Sequence, residues 1–176
     1  MMQSSVRSAD QDRYYRIVDS PIGRLRLVAN EDSLVAVSWE DGYTRHATPH
    51  IGTKALLHPV LVETSRQLEE YFAGSRKKFE LKLHFAGTEF QRKVWSALLT
   101  IPYGETRSYG QIAVQIGSPA AIRAVGAANG QNPIPIIAPC HRVVGSTGKL
   151  VGFGGGLPRK AHLLTLEGAL SAEMSM

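Results

Sequence analysis

The chain has a single cysteine, Cys140, in 176 residues. That excludes an internal disulfide and any zinc site built on several cysteines, and it fits a reducing, intracellular setting. No run approaches the ~20 consecutive apolar residues a membrane helix needs. The N-terminus lacks an apolar signal core, and Met1 to Asp12 is polar and expected to be disordered. His46 and His50 lie four apart with no carboxylate or cysteine to complete a ligand set, so no metal is expected. Acidic residues are scarce in one half: residues 86–176 carry four against eight Lys and Arg, whereas residues 1–85 carry eleven against twelve. A basic half favours an anionic partner, nucleic acid being the commonest, or else is plain solubility charge.

What is present is the composition of a soluble globular protein, 43% hydrophobic and 20% charged. Its length allows one sizeable domain or two small ones. Residues 14–19, 24–29 and 33–39 alternate in polarity, with Ser20-Pro21-Ile22-Gly23 as a turn between the first two. This predicts a three-stranded meander. Residues 57–73 repeat apolar side chains near a 3.6 period and stop at Gly74, which predicts a helix. Residues 79–85 alternate as a fourth strand, and Gly87 marks a boundary. The expected organisation is a tail over 1–12, an N-terminal α/β domain over 13–86, a C-terminal domain over 87–168 and a tail over 169–176.

The second half is rich in helix caps. Thr88 with Gln91, and Ser108 with Gln111, have the spacing of capping boxes. They predict helices over about 89–99 and 108–116. Ser118-Pro119 reads as a cap followed by proline at the first helical position, opening a helix from Ala120 to Asn129. Two short helices joined at Gly117 to Pro119 make a helix-turn-helix. The second is nearly bare: Ala120, Ala121, Ala124, Gly126, Ala127 and Ala128 with one cation, Arg123. Such a helix either lets its backbone approach a ligand or packs tightly on a neighbour. Residues 143–151 read as a hairpin or wing. The loop Gly152 to Gly156 has little side chain, so its amides can approach a ligand. A last helix is expected over 158–167.

The segment from Asn132 to Arg142 reads Asn-Pro-Ile-Pro-Ile-Ile-Ala-Pro-Cys-His-Arg. Its prolines fix φ near about −65° and remove amide donors, which excludes a helix or a central strand. Its apolar run implies burial. The segment delivers a thiol, an imidazole and a guanidinium in sequence, as if to hold a sulfur in place.

Pro139-Cys140-His141-Arg142-Val143 resembles the active-site motif of the O6-alkylguanine-DNA alkyltransferases, the methylated-DNA–protein-cysteine methyltransferases. Phe90-Gln91, Val94-Trp95, Ile101 to Gly104, Ser108 to Gly110, Arg123 to Gly126, Asn129-Gly130, Asn132-Pro133 and Gly154 to Leu157 follow the same family pattern in order. The resemblance covers about residue 88 to Gly168. It implies a mixed α/β (α+β) fold: an N-terminal small-sheet domain, then an α-rich domain with a winged helix-turn-helix. It also implies a DNA-repair reaction in which an alkylated base, flipped from duplex DNA, gives its alkyl group to Cys140.

On that resemblance His141 takes the thiol proton, directly or through one water. The water-bridged route fits neighbours on opposite faces of an extended segment. Glu167 orients His141, although a carboxylate at a helix C-terminus is disfavoured without a partner. Tyr109 assists the leaving guanine and crowds the phosphate 3′ to it. Asn132 is the hinge, and Arg142 makes a structural pair. Arg123 is the finger that replaces the flipped base, on a helix placed in the minor groove through Ala121, Ala124, Gly126 and Ala127. The alkyl pocket falls to Val143, Phe153, Gly154, Gly155 and Lys160. Gly154 stands where some members have serine and Phe153 where they have tyrosine, which implies a wider pocket. The product is a thioether, so one alkyl group per chain is expected, with no cofactor and no metal. The implied partner is double-stranded DNA bearing O6-alkylguanine. The expected protein is a monomer in solution, intracellular and not secreted, and in a prokaryote cytoplasmic and nucleoid-associated, with O4-alkylthymine activity and cooperative assembly on DNA left open. The alternatives are a non-catalytic alkyl-lesion-binding protein of the same fold, a cysteine hydrolase, and a transcription factor with a structural cysteine.

Overall fold

The computed structural model describes residues 12–42 and 51–170; His46 and His50 lie outside the described residues. The meander forms as the alternation predicts: β1 (Tyr14–Val18), β2 (Leu25–Ala29) and β3 (Leu34–Trp39) pair antiparallel, with β1 in register from Tyr14 opposite Ala29 to Val18 opposite Leu25. A two-residue strand, β4 (Thr53–Lys54), was not foreseen and pairs parallel to β1, giving the order β3-β2-β1-β4. Helix α1 (Pro59–Phe72) packs on the sheet, burying Leu61, Leu68 and Tyr71 in the same core as Leu25, Leu27 and Trp39. His58 caps it, its Nδ1 accepting the Val60 amide.

Residues 79–85 do not form the expected strand. They touch the sheet at one parallel bridge, Leu34 to Leu83, through the amides of Leu34 and His84. The same edge of β3 is also used further along, where the Val37 amide donates to the Pro133 carbonyl. Two segments share one strand edge, so neither builds a full ladder.

Helix α2 (Glu89–Leu98) starts at the complete capping box of Thr88 and Gln91. It buries Val94, Trp95 and Leu98, and Trp95 Nε1 donates to the Ala128 carbonyl at 2.8 Å. Each such side chain contributes about 1.5–3 kcal/mol by leaving water, which fixes α2 against the helix-turn-helix. Strand β5 (Arg107–Ser108) leads into α3 (Tyr109–Gln115), which opens with the second complete capping box, Ser108 and Gln111.

Helix α4 (Ile122–Gly130) begins two residues later than expected and has no side-chain cap. The Ala121 amide donates to the Ser118 carbonyl instead, so Ser118-Pro119 is spent on the turn between the helices. Past the segment from Asn132 to Arg142, β6 (Val143–Val144) pairs parallel to β5. Residues 145–149 close a turn through Gly145 N to Lys149 O at 2.9 Å, but no second strand completes the expected hairpin. Helix α5 (Leu157–Leu166) ends on Glu167 as its cap. No helix among the described residues is long and apolar enough to cross a membrane.

Candidate active site

The segment from Asn132 to Arg142 is tied to itself before it meets anything else. Asn132 Nδ2 donates to the Ala138 carbonyl at 2.8 Å, and its Oδ1 accepts the Ile134 amide at 3.0 Å. Inside this closed loop Ile136 has φ 75°. A β-branched residue in left-handed backbone costs about 1–3 kcal/mol. The loop then ends in a turn of 3-10 helix, Cys140–Arg142, not in the extended backbone expected from the prolines. Asn129, on the last turn of α4, donates to the Cys140 carbonyl at 3.4 Å.

Cys140 is buried, with 3% of its surface exposed. Burial pushes its thiol up to about 11, against the Asn132 side chain, the Lys160 charge and nearby amides that pull it down. At neutral pH such a thiol is ionised in about one molecule in ten thousand. It needs a base.

His141, beside it in sequence, is fully buried. His141 Nε2 lies 2.8 Å from Glu167 Oε2, which assigns the donated proton to that nitrogen. Nδ1 is buried with no protein hydrogen-bond partner among the described residues. Burial lowers the imidazole below its ordinary value and outweighs the upward pull of Glu167, so the resting ring is neutral. Glu167 also accepts Arg142 Nε at 2.8 Å, Arg142 Nη2 at 3.0 Å and Tyr71 Oη at 2.5 Å. Burial alone would raise this carboxyl. The hydrogen bonds from His141 and Arg142 overcome it and hold the group at about 2. The guanidinium explains how a carboxylate sits at the unfavourable end of α5. Arg142 Nη1 is spent on the Ile101 carbonyl.

On the other side of the thiol, Lys160 Nζ donates to the carbonyls of Val143, Val151 and Gly152, at 2.5, 2.9 and 3.1 Å. Its ammonium clamps the glycine loop, and burial lowers it to about 8. The cavity beside Cys140, bounded by Asn132, Phe153, Gly154, Gly155 and Trp39, has a volume of about 10 Å³. That is roughly the space of one water. The glycines do not leave the expected room in this state. A Cβ on Gly155 would meet the Trp39 ring at 2.7 Å, so this glycine is required for packing, and Phe153 stacks edge-on to Trp39. Val143 and Lys160 do not line that cavity.

Tyr109 opens α3 with its ring against Gly126 of α4, and its Oη donates to the Val151 carbonyl at 2.8 Å. Burial raises its phenol, and the nearby Cys140 adds to the rise. The outer face of α4 presents Arg123, Ala124 and Ala127 to solvent, while Val125, Ala128 and Asn129 are buried. Ala121 and Gly126 are half-buried. The bare helix therefore serves both readings, one per face. Arg123 makes no hydrogen bond or ion pair among the described residues.

Family models divide the chain into two stretches: residues 13–85 match the ribonuclease-like domain, and residues 89–169 the DNA-binding domain, of 6-O-methylguanine DNA methyltransferase. The chain belongs to the 6-O-methylguanine DNA methyltransferase family. It is 51% identical over 156 residues to the methylated-DNA–protein-cysteine methyltransferase of Methanosarcina acetivorans, covering 89% of this chain and 99% of that one. The same-named protein of Mycobacterium bovis is 52% identical over 159 residues, 88% of this chain and 92% of that one. The crystal structure of Mycobacterium tuberculosis OGT in complex with DNA superposes with a TM-score of 0.80 at 51% identity, covering 88% and 92% of the two chains. A protein of this family is a DNA-binding methyltransferase.

Within the family fold, the residues singled out from sequence fall into two groups. Asn132, Phe153, Gly154 and Gly155 bound the cavity beside Cys140, His141 next to it in sequence bonds Glu167, and Lys160 and Tyr109 brace the glycine loop. Arg123, Ala124 and Ala127 face outward on α4. Sequence reasoning missed the hydroxyl of Tyr71, a position it took only as part of the apolar repeat over 57–73, and the bond from Asn129 to Cys140.

Proposed function

We propose that the protein repairs DNA by moving the alkyl group of O6-alkylguanine onto Cys140, once per molecule. The observation that carries the reading is the buried chain Cys140, His141, Glu167: a thiol too weakly acidic to ionise alone, next to a neutral imidazole whose outer nitrogen is fixed on a carboxylate. His141 Nδ1 takes the thiol proton, directly or through one water, and Glu167 stabilises the imidazolium. The sulfur forms a bond to the alkyl carbon as the carbon–O6 bond breaks. Its electron pair passes to the guanine, which Tyr109 assists with its proton. No base can hydrolyse the resulting thioether, so the thiol is consumed.

The substrate reaches Cys140 out of the duplex, because a base inside the stack cannot approach a buried sulfur. Arg123 fills the space it leaves, with Ala124 and Ala127 against the minor groove and Ala121 and Gly126 at their margin. The glycine loop, with Val143, Phe153, Gly154, Gly155 and Lys160, holds the flipped base after moving outward, since about 10 Å³ cannot admit a purine. The reading places a domain boundary near residue 87, in line with the two matched stretches. The chain acts as a monomer in a reducing, DNA-containing compartment.

The test is to incubate the protein with duplex DNA carrying a radiolabelled O6-methylguanine. The label should appear on protein, saturate near one per chain and vanish in Cys140→Ala. Free label released with turnover would overturn the reading.

A further inference from the structure

The hydroxyl of Tyr71 belongs to the other half of the molecule. The residue lies on α1, is fully buried, and reaches Glu167 Oε2 at 2.5 Å across 96 positions of sequence. Its ring is already secured by Phe72, Phe79 and Tyr103, with centroids 5.2, 5.3 and 6.3 Å away. Core packing therefore accounts for the ring and leaves the hydroxyl to be explained. We propose that Tyr71 is a positioning residue of alkyl transfer: its phenol holds the Glu167 carboxylate so that Oε2 stays on His141 Nε2, and through it the N-terminal half sets the protonation of the Cys140–His141 pair. This rests on the reading of Cys140 as alkyl acceptor and His141 as its base.

The charge around the carboxylate gives the mechanism. Oε2 receives three donors, Tyr71, His141 and Arg142 Nη2, while Oε1 receives Arg142 Nε. Of these, His141 and Arg142 belong to the segment that carries Cys140. Tyr71 anchors the carboxylate to a helix outside it. Burial first, then the Glu167 charge, raises the phenol above its ordinary value, so it remains a donor. The other groups facing this cluster are Tyr103, whose Oη donates to the Leu166 carbonyl at 3.3 Å, Lys77 over the Tyr103 ring, and Lys160, which faces Cys140 and His141. None of them bonds Oε2. A donor on Oε2 also takes up part of the negative charge that would otherwise fall on the His141 proton. Without it the imidazolium is held more strongly, and the pair loses its first proton at higher pH.

Tyr71→Phe keeps the ring and removes the donor. The readout is alkylation of Cys140 by a free O6-alkylguanine base, followed across the pH range in which histidine titrates. The expected result is a rate roughly tenfold lower at neutral pH, because a carboxylate free to turn no longer keeps the His141 ring in place, with the acid limb displaced upward by about half a unit by the uncompensated carboxylate charge. In the same variant, NMR of the His141 ring should show its titration moved in the same direction. Replacing Tyr71 by 3-fluorotyrosine, a stronger donor of nearly the same shape, should move the acid limb downward, and it decides the matter if Tyr71→Phe does not fold. A folded Tyr71→Phe with the wild-type rate and profile, or a fluorotyrosine protein with an unmoved limb, overturns the proposal. The wild-type protein is the control for the reading beneath it: no alkyl group on wild-type Cys140 brings both down, whereas a normal wild-type reaction with unresponsive Tyr71 variants brings down only this one.

Discussion

Replacing Glu167 by glutamine removes one charge and leaves another stranded. Arg142 is 7% exposed and gives Glu167 two of its hydrogen bonds. Removing one partner of a buried ion pair costs about 3–5 kcal/mol, because the remaining charge keeps its desolvation penalty without its attraction. Against a total stability of about 5–15 kcal/mol, that is a large fraction. The assay is urea unfolding followed by tryptophan fluorescence, which is well placed because Trp39 and Trp95 are each 2% exposed. The midpoint should fall with the slope unchanged. The alkylation rate of Cys140 by a free base should fall as well, since an amide holds the imidazolium poorly. Adding Arg142→Met separates the two effects. The double variant should recover at least half of the lost stability, because the stranded cation is gone, while its alkylation stays slow. Recovery of rate together with stability would show that Glu167 acts only as scaffold, and Glu167→Gln within about 0.5 kcal/mol of wild type would refute the pairing argument itself.

The same cluster makes the fold sensitive to acid. Glu167 is held at about 2 against an ordinary 4.5, so its contribution, about 3 kcal/mol, is present above pH 4.5 and lost as pH falls toward 2. His141 adds to the loss below about pH 6.5, where the unfolded chain takes up a proton that the buried ring resists; urea midpoints that stay level from neutral pH to pH 3 would contradict both. Arg123→Ala should weaken duplex binding and reduce the slope of log affinity against log salt by about one, and its rate loss should be larger on duplex than on a free base; equal loss on the two would remove Arg123 from the DNA face. Thr88→Ala and Ser108→Ala should each cost about 1 kcal/mol in unfolding measurements, while Ser118→Ala, whose side chain caps no helix, should stay within about 0.5 kcal/mol. A larger loss at Ser118 would mean that α4 begins where the sequence suggested.

What was legible in the sequence was what is decided within a few residues. The boxes at Thr88 and Ser108 are complete because a side chain and an amide three positions away satisfy each other wherever the helix goes. The meander was legible because alternation and a tight turn fix its register. Ser118-Pro119 misled because the same two residues can cap a helix or close a turn, and here the turn came first. The alternation of 79–85 was real, but pairing also needs a free strand edge, and Pro133 from the other half takes part of it. Tyr71 was hidden for a similar reason. A period of 3.6 says that a side chain points inward, and nothing local says that its hydroxyl will meet a carboxylate 96 residues later.

The height of the thiol at rest bears on why such a site would be built this way. A cysteine destined for a single reaction gains nothing from a standing thiolate, which is the form that oxidises and cross-links. Burial removes it: the thiol is pushed up to about 11, the imidazole is kept neutral, and the adjoining cavity holds little more than a water. The means of ionising it are nevertheless in place, since the carboxylate that would stabilise the imidazolium is already charged and fixed by Arg142 and Tyr71. What is absent at rest is the space for a substrate. On the proposed reading, opening the glycine loop for a flipped base both admits the alkyl group and changes the surroundings of the sulfur, so ionisation is tied to occupancy. The loop is held by Lys160 on three carbonyls, including Val151, which Tyr109 also holds. On that reading a base that engages Tyr109 takes it from Val151 and releases one of the loop's ties as the pocket is filled, while Arg159 Nη1 stays on the Gly155 carbonyl at 3.3 Å.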